Sequence, residues 1–360
     1  MVDKAREVAL KCLYKIDKED AYSNIVLDEM LNENRRRLDE RDIGLISEIV
    51  YGVVTWRLTL DEIIRKYSNI RLKKISTWIL NILRMGVYQI IFLDKIPKSA
   101  AVNESVNLAK RYGHKSSSNF VNAILRKVEK TDYEELFNID NDVERISKTT
   151  SMPVWIIEEL LKEKKIEEVQ EICEASNSRP NISVRVNNLK TTKEKLKEEL
   201  KKNDIQVEDG ILDDFLVIKK VKNIENFDLF KKGFFTIEDE GAGLIPIVLD
   251  PKQNEMVLDA CSAPGGKTTY IAELMDNKGK IEAWDIYEHR LKLVNQNAKR
   301  LGINIINTSA KDATKYNEEY KDKFDKILLD VPCLGIGVLK RKPDIKWKRK
   351  NILKKKIFCI

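Results

Sequence analysis

In MVLDACSAPGGKTT, residues 256–269, an apolar run of strand character ends in Asp259 and Ala260, and a loop with two adjacent glycines then opens a segment of helical character. Strand, glycine loop and helix in that order form the first unit of a parallel α/β sheet, where backbone N–H groups and a helix N-terminus meet a ligand. Further on, KIEAW (280–284), INIINT (303–308) and KILLD (326–330) repeat the strand character, separated by helix-sized segments such as EHRLKLVNQNAKRLG (288–302). The alternation predicts a doubly wound α/β domain over residues 241–360.

Two kinds of ligand suit such a loop. A Walker-type phosphate loop needs G-x-x-x-x-G-K-[ST], and Gly266, Lys267 and Thr268 match its end. Its first glycine would fall on Cys261, however, and Pro264 removes an N–H donor from a loop meant to wrap a phosphate. The other kind is a nucleoside cofactor, whose ribose hydroxyls need a carboxylate after the second strand. Asp285 stands there. Asp312 follows the third strand, where it can accept from an adenine amino group, and Asp330 ends the fourth. Acids at four successive strand ends, Asp259, Asp285, Asp312 and Asp330, describe an S-adenosylmethionine crevice.

Upstream the pattern changes twice. Residues 1–130 read as a helical bundle: Leu45, Ile46, Ile49, Val50, Val53 and Val54 share one helix face, and Phe120, Ile124, Leu125 and Val128 share another. Gly113 suits a left-handed helix cap, and the serines of SSSNF suit the start of the next helix. Arg35 to Arg37, Lys73, Lys74, Lys110, Arg111, Lys115, Arg126 and Lys127 give the bundle basic patches or an ordinary solvated face. Residues 145–240 show ISVRVN, a charged helix, IQVEDG and DFLVIKK, a β-α-β-β order that suits a small α+β module of an RNA-binding or linker kind. Phe234 and Phe235 could stack on bases there or pack under the next domain.

Bulk properties agree with a multidomain globular chain. Sixty-five Lys and Arg against 58 Asp and Glu leave a formal charge of +7, compatible with a polyanionic partner. The five cysteines are far apart without any C-x-x-C, which argues against a zinc site and for reduced thiols in a cytoplasm. No metal is expected. The charged N-terminus is unlike a secretory signal, and no apolar run reaches the length of a membrane span. His114 and His289 are the sole histidines, so histidine acid/base chemistry is not expected.

LDVPCLGIG (329–337) leaves Cys333 as nucleophile, helper or filler. Together DACSAPGGKTT, AWDIYEHRL, AKDAT and LLDVPCLGIGVLKRKPDIKW resemble consecutive motifs of the NOL1/NOP2/Sun RNA cytosine-C5 methyltransferases, and Arg341, Pro343, Asp344 and Trp347 extend the likeness. The domain order, with a bundle similar to the antitermination factor NusB in front, resembles the members that act on 16S ribosomal RNA. The resemblance implies a Rossmann-like S-adenosylmethionine-dependent domain and small-subunit ribosomal RNA as partner. It makes the backbone of Cys261, Ser262, Ala263, Pro264, Gly265, Gly266 and Lys267 the methionine and ribose cradle. Asp285 becomes the ribose ligand, Asp312 the adenine-side ligand, and Asp330, at the rim of the same crevice, the contact to the target cytosine.

The same resemblance puts the attacking cysteine in a downstream Thr-Cys-Ser segment and gives Cys333 product release. These 360 residues contain no such segment, and Cys359 lies in KKKIFCI without the flanking threonine or serine. The catalytic domain is therefore expected to be incomplete, through a shortened gene or a shifted frame, which leaves the activity of the chain open. Two rival readings stand beside this one. The chain could be an RNA-binding protein with a vestigial cofactor domain, or a methyltransferase acting on an amine or oxygen, although Asp-Val-Pro-Cys replaces the Asn/Asp-Pro-Pro-aromatic slot that a planar amine needs.

Overall fold

The structure, a computed structural model, describes residues 3–131, 134–219, 224–331 and 333–348; residues from 349 onward, Cys359 among them, lie outside the described residues. The chain divides into two compact units. The first joins residues 3–179 to residues 334–348, and the second is residues 180–333.

In the first unit seven helices follow one another: α1 (Lys4–Glu19), α2 (Ser23–Asn34), α3 (Glu40–Thr55), α4 (Arg57–Tyr67), α5 (Thr77–Phe92), α6 (Lys98–Tyr112) and α7 (Lys115–Glu129). The stripe read from the sequence is buried on α3 at Ile46, Ile49, Val50, Val53 and Val54, and on α7 at Val121, Ile124, Leu125 and Val128. α5 is buried nearly all round, so its apolar run has no polar face. Two expected caps differ. Gly113 is extended, not left-handed, and glycine is needed for room: a Cβ there would sit 2.8 Å from Ile79 Cδ1. His114 takes the cap position of α7, and Ser117 reaches back from the first turn to accept from its N–H at 3.3 Å. The basic residues named above are exposed, with Arg111 and Arg126 drawn to Glu7 and Glu129.

The α+β module was expected from residue 145, yet the chain stays helical in the first unit through α8 (Asp142–Thr149), α9 (Val154–Leu160) and α10 (Ile166–Ala175). The reason lies far downstream: Ile146, Ile156, Ile157, Val169 and Cys173 share one core with Leu339 and Ile345. The segment KPDIKWK, read as part of the catalytic motif set, packs in the first unit, where Trp347 Nε1 donates to the Val54 carbonyl at 2.7 Å.

In the second unit, β1 (Ile182–Val186), α11 (Lys193–Lys202), β2 (Gln206–Asp209) and β3 (Phe215–Lys219) follow the expected order. After α12 (Asp228–Lys231) comes a fourth strand, β4 (Phe235–Ile237). The sheet is antiparallel in the order β2-β3-β1-β4, with Val184 between Leu216 and Ile237. Phe235 is fully buried in the module's own core with Phe234 beside it, which excludes Phe235 from base stacking and places the pair inside the module.

Next come α13 (Glu240–Leu249), β5 (Met256–Asp259), α14 (Gly266–Leu274), β6 (Lys280–Asp285), α15 (Glu288–Leu301), β7 (Ile306–Ala310) and β8 (Lys326–Leu328), while α16 (Ile345–Lys348) closes the first unit. The four strands are parallel in the order β7-β6-β5-β8. β7 starts three residues later than expected, because Ile303 completes the turn that Gly302, at φ +80°, makes at the end of α15. β8 is shorter than KILLD, and Asp330 lies two residues beyond it. The order reverses between β5 and β8, so the glycine loop leaves the sheet at a topological switch point, where ligands of open α/β sheets bind. Among the described residues, no single helix is long and apolar enough to cross a membrane.

Candidate cofactor and catalytic site

The loop from Cys261 to Lys267 is held mainly through its carbonyls. Gly265 adopts φ +103°, and a Cβ there would meet Val294 Cα at 3.1 Å; one on Gly266 would meet Glu238 Oε1 at 3.1 Å. Both handedness and crowding therefore call for glycine. Ser262 is buried, and its N–H and Oγ both donate to the Trp284 carbonyl, at 2.7 and 2.9 Å. The Ala263 and Pro264 carbonyls accept from Arg290 Nη2 at 3.0 Å and Asn297 Nδ2 at 3.1 Å. Anchored in this way, the loop presents the first N–H groups of α14, which have no intrahelical acceptor.

Around this loop lie the strand-end acids. Asp259 ends β5, 1% exposed, and its Oδ2 accepts from Thr268 Oγ1 at 2.7 Å. Its Oδ1 is buried without a hydrogen-bond partner among the described residues, and burial pushes the carboxyl up to about 6. A buried acceptor in want of a donor, beside free helix N–H groups, fits the ammonium and carboxylate of a methionine moiety. Asp285 ends β6, 4% exposed; it accepts from the Tyr287 N–H at 3.0 Å and pairs with Arg290 at 3.0 Å. Two further acceptor sites on that carboxylate remain for a diol. Asp312, two residues past β7, accepts from Thr314 N–H and Oγ1 at 3.0 and 2.7 Å, and these bonds hold it below the usual carboxylate range.

Asp330 is exposed and takes Lys267 Nζ at 2.7 Å, a pairing that the sequence did not suggest. With that ammonium occupied and carboxylates crowding the loop, a triphosphate finds repulsion where a Walker site needs cations. Cys333 is exposed three residues beyond Asp330; Pro332, between them, lies outside the described residues. Cys261 is half-buried, and burial together with Asp259, Asp285 and Asp330 pushes its thiol up, so its neutral thiol leaves the loop backbone as its contribution.

Several site residues escaped the sequence reading. Arg290 and Asn297 are seven apart on α15, a spacing that puts them on one helix face and was readable. Trp284, whose ring meets Tyr320 and Phe324 edge-on with Lys311 over it, walls the sheet beside Asp285; nothing in its strand run marked it.

Three family models match successive parts of the chain. Residues 3–130 match the NusB family, residues 152–225 the ferredoxin-like domain of RsmF/B-like methyltransferases, and residues 246–357 the 16S rRNA methyltransferase RsmB/F family. The chain is 37% identical over 346 residues to the probable ribosomal RNA small subunit methyltransferase B of Bacillus subtilis (strain 168), covering 96% of this chain and 77% of that protein. It is 32% identical over 348 residues to the protein of the same description from Synechocystis sp., covering 96% and 78%. The crystal structure of PH0851 superposes with a TM-score of 0.74 at 26% identity, covering 99% of this chain and 80% of that one.

Proposed function

The chain belongs to the ribosomal RNA small subunit methyltransferase B family, and on that premise we propose that it is built to methylate C5 of a cytosine in 16S ribosomal RNA, with S-adenosylmethionine as donor. The observation that carries this reading is the set of acids at the C-terminal ends of four parallel strands, Asp259 and Asp285 as last residues of β5 and β6, Asp312 and Asp330 just past β7 and β8, around the Cys261–Lys267 loop. S-adenosylmethionine brings an electrophilic methyl group on a sulfonium. The loop N–H groups and Asp259 would hold its methionine end, Asp285 its ribose and Asp312 its adenine side.

Cytosine C5 is a weak nucleophile. A thiolate must add at C6 to push electron density onto C5, and after transfer a base takes the C5 proton while the thiolate leaves. The target base must be out of its stack to be reached. Asp330 is assigned to hydrogen-bond the ring edge of the base, and Cys333 to the release step. The attacking thiolate of the reaction is not assigned to a residue here: these 360 residues contain no Thr-Cys-Ser segment, and they span 77% of the length of the Bacillus subtilis relative.

Calorimetry with S-adenosylmethionine, with magnesium ATP as control, tests the cofactor; binding of ATP alone would sink the methyltransferase reading. RNA carrying 5-fluorocytosine tests the cysteines. Neither the chain nor its Cys333→Ser variant should form a gel-stable adduct, and an adduct with the unaltered chain would overturn the release role.

A further inference from the structure

The α+β module reaches into the cofactor loop. On β1, Val184 and Val186 face the module core, so Arg185 points to the opposite face, and it is 0% exposed there. Its Nε and Nη2 donate to the two oxygens of Glu273 on α14, at 3.1 and 2.9 Å, and its Nη1 donates to Glu238. Nη2 also donates to Thr269 Oγ1 at 3.1 Å, and Nη1 to the Gly266 carbonyl at 2.9 Å. The Tyr270 ring lies 4.5 Å from the guanidinium and its hydroxyl donates to Asp214 at 2.9 Å.

We infer that Arg185 is a positioning residue for the S-adenosylmethionine site, acting through the Gly266 peptide; the inference rests on the methyltransferase reading above. In a trans peptide the C=O and the following N–H point in opposite directions. Thr269 Oγ1 grips the Gly265 carbonyl at 2.8 Å, and Arg185 with Thr269 grips that of Gly266. The N–H groups of Gly266 and Lys267 are thereby turned away from the module, toward the open end of α14. Only a guanidinium has enough fixed donors to serve Gly266, Thr269, Glu238 and Glu273 together. A fully buried ion cluster adds little net stability over apolar packing, which favours a directing role.

Arg185→Lys keeps the charge and loses the fork. Asn187→Ala is the matched control: Asn187 Nδ2 donates to the Gly233 and Leu301 carbonyls at 2.8 and 2.9 Å, in the same module but away from the loop. By calorimetry on the 360-residue chain, Arg185→Lys should weaken S-adenosylmethionine binding about tenfold or more while binding of a small-subunit ribosomal RNA fragment stays within about twofold. Asn187→Ala, at a comparable fall in melting temperature, should keep cofactor affinity within about threefold. Unchanged cofactor affinity in Arg185→Lys, or an equal loss in both variants, overturns the inference. Should Arg185→Lys fail to fold, Glu273→Gln, which weakens the grip on Arg185, replaces it with the same expected direction. If the unaltered chain binds no S-adenosylmethionine, the methyltransferase reading falls; hydrogen exchange at residues 266–268 still decides whether Arg185 sets this loop, faster exchange in the variant supporting it and unchanged exchange refuting it.

Discussion

Asp344 accepts two hydrogen bonds from Ser23, one from its backbone N–H at 3.0 Å and one from its hydroxyl at 2.6 Å, across a sequence separation of 321 residues. Both residues are buried, and Ser23 begins α2, where unpaired N–H groups and the helix dipole favour a negative charge. Asp344→Ala strands both donors and should destabilise the first unit by about 2–4 kcal/mol, against about 1 kcal/mol for Asp344→Asn. Chemical denaturation with a Ser23→Ala, Asp344→Ala cycle checks this. A coupling energy below about 0.5 kcal/mol would show that the pair is incidental.

Lys346, two residues on, is buried with Asn177 Oδ1 at 2.6 Å and the Thr55 carbonyl at 3.3 Å as acceptors, and burial pushes its ammonium down to about 7. An unfolded lysine titrates near 10.4, so between about pH 7 and 10 the unfolded chain binds more protons than the folded one, and stability must rise with pH by up to about 1.4 kcal/mol per unit. Lys346→Met should abolish that rise. Urea midpoints at pH 7, 8 and 9 for the two proteins decide the matter, and parallel curves would contradict it.

Asp259 has the opposite sign. Its folded carboxyl holds its proton up to about pH 6 while the unfolded one ionises near 4, so stability falls as pH rises through that window and levels off above it. A cationic ligand on Oδ1 needs the ionised form. S-adenosylmethionine affinity should therefore drop roughly tenfold per unit below pH 6 and stay flat above. Asp259→Asn should remove the dependence in calorimetric titrations between pH 5 and 8.

Asp285→Ala leaves ribose hydroxyls without their acceptor and frees Arg290 from its 3.0 Å partner. Cofactor affinity should fall by about 1–3 kcal/mol. The melting temperature of the free protein, measured alongside, should change little by comparison, because Asp285 lies at the strand end and not in the apolar core.

β8 is an edge: among the described residues it pairs with β5 alone, and Ile327 within it and Leu329 just past it are 58% and 53% exposed. Leu244, Ile245 and Val248 on α13 are exposed as well. An uncovered edge with apolar side chains invites pairing between copies. The 360-residue chain should self-associate with concentration in sedimentation velocity, and Ile327→Lys should shift it toward monomer. Monomer at all concentrations in both proteins would refute this.

What could be read from the sequence was whatever local periodicity encodes. Strand ends punctuated by Asp259, Asp285 and Asp330 were legible because a parallel sheet puts all such ends on one edge. Arg185 was not, since alternation in ISVRVN assigns it to a solvated face, and only the packing of α14 against that face buries it. The place of KPDIKWK was equally hidden: its motif likeness points to the catalytic domain, while its burial depends on Ser23, Val54 and Thr55, hundreds of residues earlier. Helices α8 to α10 were missed for the same reason, their apolar partners Leu339 and Ile345 being remote in sequence.

Because the first unit is made of residues 3–179 and 334–348, the second is an insertion within it. During translation the bundle emerges from the ribosome first, yet Ser23 and the Val54 carbonyl must wait for Asp344 and Trp347 until the whole second unit has been synthesised. The last described turn of helix therefore supplies partners to α2 and α3 that no earlier part of the chain provides, and it does so only after the second unit has been made.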